Sequence, residues 1–241
     1  MHELGVTRSV SCRDHLLQTP DAFVREPLPG MRNATAVVHA SQQTGAKFLQ
    51  YTAEFEPGGS LPAATTQRFI YVLEGVLECP GRPSLAAGDY GYFPTGQREG
   101  LSAPQAAKAA VIEKPYQPLV GCEAPRFFFG RESEVAPQPL MGDPDLEVRP
   151  LVPASASYDF AVNTMTFQRG AALPMVEIHV MEHGLLMLAG GGIYRLNERW
   201  YPVSAGDFIW MAPYCPQWFG AIGKFPAKYL IYKDWNRNPA V

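Results

Sequence analysis

The chain has 241 residues, 46% hydrophobic and 18% charged, which is enough apolar material for one large core or two modest ones. A net charge of −3 excludes the basic surface that nucleic acid or an anionic membrane would require, and no apolar run is long enough to span a bilayer. Cys12, Cys79, Cys122 and Cys215 lie far apart with no C-x-x-C pair, and no basic-then-apolar leader follows Met1, the pattern expected of reduced thiols in a soluble, cytoplasmic protein.

Twenty-three prolines and 22 glycines punctuate short runs rich in Val, Ile, Phe and Tyr, which predicts an all-β chain. In the first half a strand is expected over 47–54, followed by the block Phe55-Glu-Pro-Gly-Gly-Ser-Leu-Pro62. Tyr71-Val-Leu-Glu-Gly75 and Leu85-Ala-Ala-Gly-Asp-Tyr90 come next. From about 134 to 153 the chain carries Pro137, Pro139, Pro144, Pro150 and Pro153, which predicts an extended boundary segment. A second strand-like stretch over 158–166 then opens a repeat of the same blocks in the same order. Phe167-Gln-Arg-Gly-Ala-Ala-Leu-Pro174 answers the first, Leu186-Met-Leu-Ala-Gly190 the second and Val203-Ser-Ala-Gly-Asp-Phe208 the third. Three matched blocks mean two homologous halves: a domain over 1–135, a linker over 136–153 and a domain over 154–241.

The second half contains Glu177-Ile-His179-Val-Met-Glu-His183, with two of the five histidines of the chain, and a lone Gln217 downstream. Glu177 and His179 are two apart and share a face of a β-strand; His183 follows after a bend, and Gly184-Leu-Leu-Met-Leu188 starts a new buried strand. A helical zinc-protease motif is the competing reading of the four-residue histidine spacing. It fails because Glu182 precedes the second histidine instead of following the first, and because Val176, Ile178 and Val180 alternate at the strand period. A carboxylate and two imidazoles converging in a barrel mouth suit a divalent first-row metal.

Each half resembles a cupin, a double-stranded β-helix barrel of the jelly-roll class. The resemblance rests on Gly170, Glu177, His179, His183, Gly190, Gly206 and Gln217, spaced like the two metal-binding motifs of that superfamily. Glu stands at the usual first His, His at the usual Glu and Gln at the last His. That order is similar to the ureidoglycine aminohydrolase family, and the likeness extends through Tyr229-Leu-Ile-Tyr-Lys-Asp-Trp-Asn-Arg237. It implies two tandem cupin barrels with Glu177, His179, His183 and Gln217 as metal ligands. Mn²⁺ is the metal the resemblance implies, with Fe²⁺ or Zn²⁺ as alternatives; a thiolate-free O/N set favours Mn²⁺ or Fe²⁺, while zinc would win on affinity alone. The implied substrate is a small anionic ureido compound, with Lys233, Tyr194 and Tyr229 lining its site. Glu177 and Lys233 are the catalytic candidates, Lys233 as a point positive charge for a substrate carboxylate. Two other classes remain open at this stage: an iron-dependent cupin dioxygenase and a non-catalytic metal-containing bicupin. Two-domain cupins also associate through sheet edges, so a homo-oligomer is expected.

Counting from the matched glycines puts the equivalent ligand positions of the first half at Pro62, Ala64, Arg68 and Glu99, a set that holds no first-row metal. Arg68 and Glu99 either pair across that barrel or stand apart in solvent. His2, His15 and His39 fall outside the repeat blocks and read as surface residues, and Cys215 reads as a packed thiol.

Overall fold

A computed structural model describes residues 6–237. Among them there is no α-helix; strands are joined by turns and three short 3₁₀ segments. The chain divides into two compact units, and the division does not follow chain order.

Of the described residues, one unit comprises 6–23, Pro137–Pro150 and 160–237. Its larger sheet has eight strands in the order Val10–Ser11, His15–Gln18, Phe208–Met211, His183–Ala189, Ala227–Asp234, Phe160–Phe167, Asp143–Pro150 and Gln138–Leu140. Opposing it is a three-stranded sheet of Arg199–Ser204, Gly191–Leu196 and Gln217–Ala221. Because side chains alternate along a strand, Leu185 and Met187, Tyr229 and Ile231, Tyr194 and Leu196, Ile209 and Met211, and Phe219 and Ala221 all enter one buried cluster. His183, Lys233 and Gln217 continue the same parity at the strand ends. The sequence therefore aims them into the barrel.

The other unit is Val24–Ala136 with Leu151–Asp159. Its main sheet orders Phe128–Arg131, Asp89–Phe93, Gln67–Glu74, Ala107–Lys114, Leu49–Leu61 and Arg32–Ala40, with Leu101–Ala103 paired to the far end of Leu49–Leu61. A separate core of Tyr51, Ala53, Phe55, Ile70, Val72, Leu77, Leu85 and Val111 fills it. The repeat predicted from sequence is visible as geometry. Gly75 and Gly190 both have positive φ, 74° and 63°, and a Cβ at either would run into the carbonyl of Ala106 or Pro226. Only glycine fits both demands. The matched Asp89 and Asp207 likewise each cap a turn, accepting the Ala86 and Ser204 amides at 2.9 Å. Each is also gripped by an arginine flanking or ending the barrel's added strand, Arg131 for Asp89 and Arg8 for Asp207, with the leading contacts at 2.8 Å.

The partition expected over 1–135, 136–153 and 154–241 is corrected in two places. His15–Gln18 adds to Phe208–Met211, with Leu17 opposite Ile209, so the N-terminal stretch completes the barrel built from the end of the chain. The segment read as a linker is largely strand: Gln138–Leu140 pairs Asp143–Pro150, which pairs Phe160–Phe167. Its prolines are tolerated near an edge, where ladder donors are not all needed. Residues 151–159 belong to the other unit, where buried Asp159 accepts from Gln67 at 2.6 Å and from the Gln117 amide at 2.9 Å and meets Lys114 at 3.4 Å.

Two histidines expected at the surface are buried, His15 and His39, each 2% exposed; His2 lies outside the described residues. His39 meets the Thr52 hydroxyl at 2.8 Å, and burial pushes its imidazole down to about 3. In the unfolded chain the ring protonates near pH 6.5, so stability due to the neutral ring is complete above that pH and drains away as the pH falls toward 3, by about 1.4 kcal/mol per unit. His39→Gln is therefore expected to lose about 2 kcal/mol less than the parent between pH 6.5 and 5. Urea midpoints at the two pH values measure this, and an unchanged difference would place the titration elsewhere.

Candidate metal centre and active site

Glu177 and Gln217 form an isolated antiparallel bridge, exchanging both amide–carbonyl bonds at 2.8 and 2.9 Å. Residues directly opposite in such a pair put their side chains on the same face, which brings the carboxylate beside the amide. Upstream the Leu173 amide bonds to the Phe219 carbonyl at 2.9 Å, so the whole approach runs along Gln217–Ala221. The strand expected through Glu177 and His179 stops at the bridge. Residues 178–182 are not strand and bend at 180–181, and the His179 carbonyl is taken by the Tyr214 amide at 2.6 Å rather than by a neighbouring ladder. Tyr214 adopts φ 63° to reach it, a positioning role that nothing in its sequence context announced. The apolar alternation survives the bend with a clear sense: Val176, Ile178 and Val180 face outward, 37%, 60% and 36% exposed, while Glu177 and His179 turn inward.

His183 starts its own strand and sits opposite both Met211 and Lys233. The rings of His179 and His183 lie 5.1 Å apart, and His179 Nε2 is 3.1 Å from Glu177 Oε2. That last distance is close to the separation of two ligand atoms each about 2.1 Å from one ion at a right angle. The four predicted ligands are thus pairwise neighbours, and oxygen and nitrogen donors of this kind suit a first-row divalent cation. His183, 4% exposed, is pushed down to about 3 by burial first, then by the charges of His179 and Lys233. It is neutral at physiological pH, as a ligand must be.

The remaining candidates have distinct surroundings. Lys233 stands opposite His183; burial lowers its pKa, against the opposing pull of Glu177, and its ammonium lies 4.5 Å from the centroid of the Trp235 ring, a cation–π contact that sequence reasoning missed. Tyr194 is buried, and its hydroxyl donates to Gln217 Oε1 at 3.0 Å. Burial pushes that phenol upward, so it stays a donor and fixes which way the amide points. Tyr229 is buried too, tilted against Phe167 and edge-on to Phe219. Tyr194→Phe is expected to keep the fold and cut metal affinity by about 10- to 100-fold, the usual effect of losing a group that orients a ligand; a competition titration against a metal-sensitive dye reads it.

Relatives of known activity now place the chain. It is 41% identical over 243 residues to an (S)-ureidoglycine aminohydrolase of Arabidopsis thaliana, covering 98% of this chain and 80% of that one. It is 30% identical over 232 residues to the (S)-ureidoglycine aminohydrolase of Escherichia coli strain K12, covering 92% and 88%. The chain belongs to the (S)-ureidoglycine aminohydrolase family. Membership makes it an enzyme acting on a C–N bond. No family model matches the sequence. Solved structures agree in fold: protein Ylba from E. coli superposes with a TM-score of 0.85 at 27% identity over 96% of both chains. A putative glyoxylate induced protein from Pseudomonas aeruginosa gives 0.89 at 28% identity, covering 99% and 94%. An oxalate decarboxylase from Bacillus subtilis, 13% identical with a TM-score of 0.70, shares the cupin fold alone.

In this family member the corresponding place in the other unit carries an ion pair. Arg68 stands opposite Glu113 exactly as His183 stands opposite Lys233. Its guanidinium meets Glu113 at 2.7 Å and donates to the Pro62 carbonyl at 2.6 Å, and Tyr51 donates to the same carboxylate at 2.8 Å. Neither arrangement left open for Arg68 and Glu99 is found: Arg68 is buried on Glu113 rather than standing in solvent, and Glu99 accepts from Gln97. Strand register, not the ligand count, decides the partner.

Proposed function

We propose that the chain is a manganese-dependent hydrolase that releases ammonia from (S)-ureidoglycine to give (S)-ureidoglycolate in allantoin breakdown. The observation that carries the reading is the convergence of Glu177, His179, His183 and Gln217 with Lys233 in one barrel mouth. Family membership supplies the substrate class, and the thiolate-free oxygen and nitrogen donors favour manganese.

The substrate carbon carries an amine, a ureido nitrogen and a carboxylate. Replacing the amine by a hydroxyl consumes one water and releases one ammonia, and the C–N bond breaks once the amine is protonated and the ureido lone pair assists. The protein has to orient that carbon and manage protons. Lys233 holds the carboxylate, its ammonium kept in the cavity by the Trp235 face. Glu177, which touches His179 through Oε2, is the carboxylate that accepts the proton that water gives up. Tyr194 holds the Gln217 amide, keeping the ligand set rigid. A divalent cation held by Glu177, His179, His183 and Gln217 would supply orientation and Lewis acidity.

The test is ammonia release from freshly generated ureidoglycine by protein stripped with chelator and reloaded with Mn²⁺, Fe²⁺ or Zn²⁺, with the product's handedness determined. Activity greatest with Mn²⁺ and an S product is the expected result. Ammonia release no faster than the spontaneous reaction with every metal would overturn it.

A further inference from the structure

We propose that Asp14, His15 and Cys215 form a second cation site, specific for a thiophilic divalent metal such as zinc, which locks the N-terminal hairpin to the barrel. The ligand atoms of these three residues all lie within 4.8 Å of one another, and none belongs to the centre described above. The site is assembled by the added strand. The turn between Val10–Ser11 and His15–Gln18 closes with the Cys12 amide on the His15 carbonyl at 2.8 Å, and the Ala212 amide bonds to the Asp14 carbonyl at 2.9 Å. The Cys215 amide in turn bonds to the Ala212 carbonyl at 3.2 Å, so the two backbone segments are fastened before any ion arrives.

The side chains are held from behind in the manner of metal ligands. His15, 2% exposed, engages the Tyr201 hydroxyl with Nε2 at 2.9 Å and turns Nδ1 toward Asp14 Oδ1, also at 2.9 Å. Asn197 donates to the other Asp14 oxygen at 2.7 Å. A ligating imidazole whose second nitrogen is hydrogen-bonded, and a ligating carboxylate whose second oxygen is hydrogen-bonded, are what a tuned metal site needs. Cys215 is 4% exposed, whereas the Asp14 side chain is 33% exposed, so an ion has a way in from the carboxylate side.

Donor chemistry separates this site from the first. A thiolate, an imidazole and a carboxylate select zinc over manganese, while the Glu177 constellation has no sulfur. Around a tetrahedral zinc the ligand atoms stand about 3.3–3.7 Å apart, so closure requires a shift of about 1 Å, within the reach of side-chain torsions. Binding expels the thiol proton to solvent and leaves a fourth position for water or for Cys12, whose Sγ receives an Arg199 bond at 3.5 Å.

Cobalt(II) is the probe, because a cobalt–thiolate bond has a near-ultraviolet charge-transfer absorption that an oxygen and nitrogen site lacks. Chelator-stripped protein titrated with Co²⁺ under reducing conditions is expected to develop that band to one equivalent. His183→Ala should retain it, Cys215→Ser should abolish it, and Asp14→Asn, at a partly exposed residue, should weaken binding at least tenfold. Zn²⁺ should bleach the band and raise the thermal midpoint of the parent but not of Cys215→Ser. Absence of the band at saturating Co²⁺, or a band of equal intensity in Cys215→Ser, would overturn the proposal.

Discussion

His183→Ala is expected to lose bound manganese and ammonia release together, whereas Gln217→Glu should keep the metal and lose rate. Alanine at 183 leaves three donors, and the vacated volume is walled by Met211 and Lys233, the cross-strand neighbours of the missing ring. Removing a group that merely orients a ligand weakens binding about 10- to 100-fold, so deleting a ligand should cost at least the upper end of that range. Excess Mn²⁺ should then restore part of the activity by mass action. Glutamate at 217 still offers an oxygen toward the bridge partner Glu177 and still accepts from Tyr194. Its extra negative charge lowers the Lewis acidity of a bound ion and repels an anionic substrate. Metal content and ammonia release measured across a Mn²⁺ titration separate the two failures, with far-ultraviolet circular dichroism confirming the fold of each variant. Full occupancy and full rate in His183→Ala after chelator treatment would remove the constellation from consideration.

Lys233→Met should weaken substrate binding while leaving the metal in place. Methionine preserves most of the apolar stem and deletes the ammonium, so the barrel packing around Ala227–Asp234 is spared. A hydrogen bond to a charged group is worth about 1.5–3 kcal/mol, roughly 10- to 150-fold in kcat/KM, and the loss should fall mainly on KM if the carboxylate is held equally in ground and transition states. Unchanged kinetics would hand the carboxylate to another cation. Arg195 is an unsuitable substitute, because its neighbour Tyr194 points inward and its own guanidinium donates to the Asn197 carbonyl beside the Trp200 ring. Arg237 would then be the one to test.

Both the repeated glycines and the inward parity of His183, Gln217 and Lys233 were legible in the sequence because each is a local rule: positive φ at a tight approach, and period two along a strand. The nearness of Glu177 and His179 was legible for the same reason, since the two sit two residues apart. The strand through His179 was over-extended, because the Tyr214 amide that captures its carbonyl comes 35 positions later and has no sequence signature. Glu113 was missed as the partner of Arg68 because a count from glycines ignores register, and the register of Ala107–Lys114 on Gln67–Glu74 places Glu113 opposite it. His15 was read as exposed since its cover, Tyr201, lies 186 positions away. Composition carries no trace of contacts at that range.

The added strand at the start of the chain has a consequence for synthesis. Arg8 and Asp207 are 199 positions apart, so at about 5–20 residues per second this segment leaves the ribosome roughly 10–40 s before the strand it pairs with. During that interval Val10–Ser11 and His15–Gln18 form at best a short ribbon with an open edge, and the unit spanning 24–136 is free to fold around its own core in the meantime. An open edge beside an unfinished barrel invites the same strand from a neighbouring nascent chain. Crowded translation should thus favour dimers that have exchanged residues 6–23, and slow dilution of denatured protein should favour monomeric closure.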